Sequence, residues 1–130
     1  MAQTYLVAWD GDEPVGHAHI AWTGAKLGVP AIQDVFVVET WRRRGIASDL
    51  VRAAERLAAE RGHTAISVGH ATDNAAARAV YERLGYRDAG VEPERHRGTI
   101  VIRGRPVHVD DTVVYLVKDV TVDSSPVRSS

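Results

Sequence analysis

Apolar and polar positions follow two different periods along this chain, and the change between them marks its elements. Residues 4–9 (TYLVAW) are apolar and aromatic, and Asp10-Gly11-Asp12-Glu13-Pro14 then gives a strong turn signal. Residues 15–22 (VGHAHIAW) alternate roughly, so the two runs predict a β-hairpin. A loop with Gly and Pro covers 23–30. Residues 31–38 (AIQDVFVV) predict a third strand, whose unbroken apolar end implies burial on both faces. His17 and His19 fall on one face of the second strand. With no acidic or Cys partner at matching spacing, they read as a solvated face rather than half of a metal site.

From Gly45 the period becomes helical. Ile46, Leu50, Ala53, Ala54 and Leu57 recur on one side, while Asp49, Arg52, Glu55, Arg56 and Glu60 take the other. Gly62 stands where a C-terminal cap belongs. Residues 64–68 (TAISV) predict a short strand. Asp73 and Asn74 can cap a second helix that runs to about Leu84, with Gly85 ending it. Residues 99–102 and 107–109 flank Arg103-Gly104-Arg105-Pro106 as a hairpin, and 112–118 (TVVYLVK) predict the last buried strand. His96, His108, Asp110 and Asp111 read as loop residues able to line a second substrate's side of a site. Residues 1–119 are expected to form one domain, and the polar, Ser-rich segment 120–130 a flexible tail. Strands, then strand–helix–strand–helix, then strands again describe an α+β fold with one mixed sheet and two main helices packed on it.

Composition narrows the function classes. A length of 130 residues, 45 % of them hydrophobic and 25 % charged, fits one ordinary globular core. The formal net charge of −1 argues against a nucleic-acid partner, which normally selects a basic surplus. There is no Cys, hence no disulfide framework, zinc–thiolate site or catalytic thiol. No apolar run spans a membrane and the first residues lack a secretory signal, so the expectation is a cytoplasmic protein with no metal. The net charge conceals an asymmetry. Fourteen of the 16 basic residues are Arg, and three of them are consecutive.

Those three lie in the most informative stretch, Val35-Phe36-Val37-Val38-Glu39-Thr40-Trp41-Arg42-Arg43-Arg44-Gly45-Ile46-Ala47-Ser48. A strand enters a basic turn and then directly a helix. Gly45 and Ala47 let a ligand approach the backbone closely, and the first helical turn offers unpaired N–H groups and the positive end of the helix dipole. This is a pyrophosphate cradle in physical terms, although it contains neither a Walker loop nor G-x-G-x-x-G.

Arg42-x-x-Gly45-x-Ala47 after V-F-V-V resembles the acetyl-CoA-binding motif of the GNAT family of N-acetyltransferases. Asn74-x-x-Ala77-x-x-x-Tyr81-x-x-x-Gly85-Tyr86 resembles that family's second signature, and the two occur in the family's order. The resemblance covers about residues 4–118. It implies the acyl-CoA N-acyltransferase fold, a mostly antiparallel splayed sheet, and acetyl-CoA as acetyl donor. It assigns the pantetheine arm to the backbone of Phe36, Val37 and Val38. The pyrophosphate falls to main-chain N–H groups over Arg43, Arg44, Gly45, Ile46, Ala47 and Ser48, with Arg42 beside them. Asn74 is assigned a hydrogen bond to pantetheine, and Tyr81 the thioester sulfur, where a phenol can protonate the departing thiolate.

The implied reaction is transfer to a primary amine by direct attack in a ternary complex. The amine must first lose a proton, because its pKa is about 10.4. Many members of the family place a Glu on this strand where Gln33 stands here. Asp34, which a regular strand turns to the opposite face, His70 and a water relay remain as alternative bases. The family usually begins with a strand and two helices before the first hairpin, and this sequence starts at the hairpin. A homodimer is therefore expected, because the missing helices leave apolar sheet surface uncovered. The other function class left open is a non-catalytic acyl-CoA-binding module on the same scaffold.

Overall fold

A computed structural model describes residues 3–120. The strands are β1 (Gln3–Asp10), β2 (Glu13–Ala21), β3 (Ala31–Val37), β4 (Ala65–Ala71), β5 (Arg87–Asp88), β6 (Glu94–Ile102) and β7 (Arg105–Asp119). The helices are α1 (Ile46–Glu60) and α2 (Ala75–Arg83), and a single 3-10 turn spans Glu39–Trp41. Backbone pairing follows the order β1-β2-β3-β4-β7-β5, with β6 on β7. The β1–β2, β2–β3 and β6–β7 ladders are antiparallel and β3–β4 is parallel, so the fold is α+β with a mixed seven-stranded sheet, as the sequence predicts. Among the described residues no helix is long and apolar enough to cross a membrane. Residues 121–130 of the expected tail lie outside the described residues. Val120 is buried and donates its N–H to the Thr64 carbonyl at 2.9 Å.

The described residues divide into two compact units, one built on residues 3–68 with 117–120, the other on residues 69–116. In the first unit, Val15, Ala18, Ile20, Ile32, Ile66 and Val68 form the sheet side of the core. The helical side is Leu50, Val51, Ala54 and Ala58. Ala53 and Leu57, expected on the apolar side, stand at its margin and are only half-buried, because Val51 and Ala58 take the innermost positions. Burying each of these aliphatic side chains is worth roughly 1.5–3 kcal/mol for the larger ones, and it fixes where α1 lies on β2 and β3.

The packing is tight at Gly16. A Cβ on Gly16 would stand 3.0 Å from the Phe36 carbonyl oxygen and 3.2 Å from Ile46 Cγ2. The absence of a side chain there lets the first turn of α1 settle against β2 while β3 passes alongside. The β3–β4 ladder consists of Ala31↔Ser67 and Ile32↔Val68, and the rest of β3 continues beyond it. This is the splay in the first unit's part of the sheet.

The second unit corrects two expectations. β4 continues past Val68 through Gly69 and His70 to Ala71. β6 and β7 are long strands, not short hairpin arms separated by loops, and their turn is the two-residue Arg103-Gly104 between the pair Ile102↔Arg105. Both turn residues have positive φ (53° and 76°), as a type I′ hairpin requires. His96, His108, Asp110 and Asp111 therefore lie on strands. Cross-strand pairs compensate for the low strand propensity of the aspartates. Arg95 holds Asp110 through two contacts of 2.8 Å, and these hydrogen bonds keep the Asp110 carboxyl below its usual range. His96 faces Asp111 in the register. Tyr115 donates to Glu94 Oε1 at 3.0 Å with His96 Nε2 3.2 Å away, and desolvation together with the carboxylate pushes the Tyr115 phenol up to about 12.

Gly16→Val is expected to destabilise the protein by about 1–3 kcal/mol, since the Phe36 carbonyl is backbone and cannot turn aside. Urea unfolding checks this; an unchanged midpoint would show that α1 does not depend on the close approach.

Candidate functional site

The corner between β3 and α1 is built by its own backbone. Val38 accepts from Trp41 N–H at 2.8 Å and Glu39 accepts from Arg42 N–H at 3.2 Å, which closes the 3-10 turn. Arg43 and Gly45 then adopt positive φ (65° and 82°) and aim the chain into α1. The first helical bond runs from Asp49 N–H to the Gly45 carbonyl at 3.0 Å. The N–H groups of Ile46, Ala47 and Ser48 precede it, and Gly45 at the cap position has no side chain to receive them. A 15-residue helix thus begins with open donors and the positive end of its dipole, the arrangement that binds phosphate groups. A Cβ on Gly45 would meet nothing within 4 Å, so the approach to these donors is open.

The three arginines divide their work. Arg42 turns back and donates Nε–H to the Val37 carbonyl at 2.9 Å, with its guanidinium 5.7 Å from the Phe36 ring centroid. Arg44 stacks over Trp41 at 4.7 Å. Arg43 makes no hydrogen bond or ion pair among the described residues and is exposed, so its charge is free to meet an anion. Arg42 is thus a clip that ties the loop to the strand, whereas Arg43 and Arg44 supply the field around the helix start.

Phe36, Val37 and Val38 differ in what their backbones offer. Val38 N–H is donated to the Val15 carbonyl at 2.9 Å. The neighbouring pair Gly16↔Val37 is then of the non-hydrogen-bonded kind, and His17↔Phe36 of the hydrogen-bonded kind. Val37 alone therefore points its N–H away from β2, and it is the amide open to an extended ligand or to a carbonyl oxygen. The expectation that this end of the strand is buried on both faces fails at Phe36, which is 46 % exposed. Its ring rests against His17, at 5.5 Å between centroids, on the sheet face opposite α1.

The second correction concerns Gln33 and Asp34. A regular strand would turn them to opposite faces, but the β2–β3 register shifts between His17 and His19, and Asp34 takes φ 55°. Both side chains consequently reach one residue. His19 Nε2 is 2.9 Å from Gln33 Oε1, and His19 Nδ1 is 3.2 Å from Asp34 Oδ2. His19 is not on a solvated face: it is 8 % exposed, with the Tyr5 ring 5.2 Å away. His17 and His19 hold no metal cluster with other residues; among the described residues no group of three or more His, Cys, Asp or Glu is placed to bind a metal ion.

In the second unit, Asn74 caps α2 by accepting from Ala77 N–H at 3.0 Å, which leaves its side-chain amide group free to donate. Tyr81 is buried, edge-on to Tyr86 at 6.0 Å, and its hydroxyl has no hydrogen-bond partner among the described residues. Desolvation raises its pKa, so the group stays a phenol well beyond neutral pH. His70 donates Nδ1–H to the Ala71 carbonyl at 2.8 Å, and its buried Nε2 has no hydrogen-bond partner among the described residues. The sequence singled out Asp34, Tyr81, Asn74 and His70, but it missed His19. The signal was the H-x-H run on one strand facing Gln-Asp on the next, and only the bulge makes it meaningful.

Comparison with known proteins gives this arrangement its context. The model of the acetyltransferase (GNAT) family matches residues 1–86. A mycothiol acetyltransferase of Clavibacter sepedonicus is 33 % identical over 92 residues, covering 71 % of this chain and 30 % of that protein. The chain thus spans less than a third of that relative's length. Among solved structures, the IAA acetyltransferase of Bacillus cereus superposes with a TM-score of 0.72 at 19 % identity, covering 92 % of this chain and 79 % of that one. A GNAT family acetyltransferase from Elizabethkingia anophelis with acetyl-CoA bound gives 0.72 at 14 % identity, covering 92 % and 77 %. Such identities establish the fold, and the family match covers residues 1–86 of 130: the chain belongs to the GNAT acetyltransferase family.

Proposed function

We propose that this chain transfers the acetyl group of acetyl-CoA to a primary amine by direct attack in a ternary complex. The observation that carries the reading is the uncapped start of α1 behind the left-handed turn at Arg43 and Gly45. The N–H groups of Ile46, Ala47 and Ser48, with Arg43 and Arg44, match the charge and shape of a pyrophosphate. The outward Val37 N–H suits either a pantetheine amide or the thioester oxygen, where it would stabilise the charge that develops during attack. The acetyl-CoA bound to the Elizabethkingia neighbour supports the same donor here.

In the proposed reaction an ammonium gives its proton to Asp34, and the nitrogen lone pair forms a bond to the thioester carbon. The C–S bond then breaks, the thiolate takes the Tyr81 phenolic proton, and the second proton shed by the amide nitrogen restores the phenol. Burial favours that role, because it keeps Tyr81 protonated at neutral pH. Asn74 is assigned the pantetheine through its free amide group. The family resemblance supports both assignments. We also read the protein as a cytoplasmic homodimer. Tyr5, Val7 and Trp9 line one face of β1 at 70, 45 and 61 % exposure, and β1 stands at the end of the strand order, an edge that a second copy can cover.

Thiol release across a panel of amines, with initial rates fitted to a ternary-complex scheme, tests the activity. Tyr81→Phe is expected to lower kcat by roughly 10²-fold or more with acetyl-CoA affinity unchanged. Tight acetyl-CoA binding with no transfer to any amine would favour a binding module, and loss of affinity alone in Tyr81→Phe would contradict the donor role. Light scattering at micromolar concentration is expected to give twice the mass of the chain; a clean monomer would exclude the dimer.

A further inference from the structure

One residue in the first unit, His19, has no role in the family resemblance. His19 on β2 sits between Gln33 and Asp34 of β3, at 2.9 Å from Gln33 Oε1 and 3.2 Å from Asp34 Oδ2. The imidazole is enclosed, with its side chain 11 % exposed, while the Asp34 side chain is 72 % exposed. The cluster therefore runs from a sheltered ring to an accessible carboxylate. It exists because Asp34 holds φ 55°, a left-handed conformation that side-chain-bearing residues rarely keep without a compensating contact.

We propose that His19 and Asp34 form one proton-accepting unit for the acceptor ammonium, in which Asp34 meets the amine and His19 is the positioning residue that shares the proton and holds the carboxylate once the proton has arrived. The proposal rests on the amine-acetylation reading above. Gln33 contributes although it cannot take a proton itself. In the neutral imidazole, Nε2–H donates to Gln33 Oε1, so Nδ1 is left as the basic nitrogen facing Asp34. When the substrate N–H bond breaks, the proton passes to Asp34 Oδ2 and is shared with Nδ1. The resulting imidazolium and carboxylate form a charged pair, Nε2–H keeps its acceptor, and the proton later leaves to water. The titratable groups facing His19 are Tyr5, directly opposite on β1, and Asp34 on β3. Two residues away on β2, His17 turns to Phe36, over which Arg42 lies.

The test follows kcat/KM for the amine against pH, with acetyl-CoA affinity measured alongside by calorimetry. Asp34→Asn is expected to lower kcat/KM by roughly 10²-fold and to abolish the acidic limb of the profile, with acetyl-CoA affinity unchanged. His19→Gln is expected to lower it about tenfold and to displace that limb. A purely structural clip between β2 and β3 would reduce the unfolding midpoint and leave the limb where it is. Asp34→Asn with a wild-type rate and limb, or a folded His19→Gln with an unmoved limb, would overturn the proposal. Should His19→Gln not fold, nitrogen-15 spectra of the wild-type imidazole decide: a neutral ring protonated at Nε2 supports the unit, and one protonated at Nδ1 overturns it. A wild-type protein that binds acetyl-CoA and acetylates no amine would instead remove the acetylation reading itself, and this proposal with it.

Discussion

Between Asp34 and Gly45 the backbone turns left-handed three times, at φ 55°, 65° and 82°. For Asp34 and Arg43, which carry side chains, that conformation costs roughly 1–2 kcal/mol each. The cost is offset by what surrounds the segment. The β2–β3 ladder holds its start, the 3-10 turn and the Arg42–Val37 contact hold its middle, and α1, packed on β2 at Gly16, holds its end. The helix start, the outward Val37 amide and the His19 cluster are all products of this one constrained path. Among the described residues the third non-glycine with positive φ, Arg103, is accounted for locally by its hairpin turn.

The same path distributes charge economically. A net charge of −1 conceals a local concentration of cations at the helix start, where one arginine is structural, one is stacked and one is open. The helix dipole and the unpaired N–H groups add to that field without requiring a net basic surface. On the β2–β3 side the chemistry is opposite in sign, with an exposed carboxylate backed by a sheltered imidazole. Open helix-start donors and an exposed carboxylate thus lie at the two ends of a single strand-to-helix segment within the first unit.

Much of this was legible in the sequence because glycine, proline and helical period report local geometry directly. α1 and α2 fall where the apolar spacing and the caps place them, and Asn74 and Gly85 mark the ends of α2. The β-hairpin at the N-terminal end and the basic turn were equally plain. What stayed hidden depends on tertiary register. A single bulge brings Gln33 and Asp34 to the same histidine, and nothing in the residues at 31–38 marks it. Asp110 and Asp111 looked like loop formers because their strand propensity is low, and only their partners Arg95 and His96 on β6 explain why they extend β7. Phe36 lies within an apolar run, yet its ring is exposed beside His17.

The central claim is that the start of α1 binds the pyrophosphate of acetyl-CoA. The most direct measurement is a calorimetric comparison of acetyl-CoA with S-acetylpantetheine, which keeps the thioester and the arm but has no pyrophosphate. The account predicts that acetyl-CoA binds on the order of 100-fold more tightly, about 2.8 kcal/mol, and that the advantage shrinks as salt is raised. Equal affinities for the two ligands would contradict it.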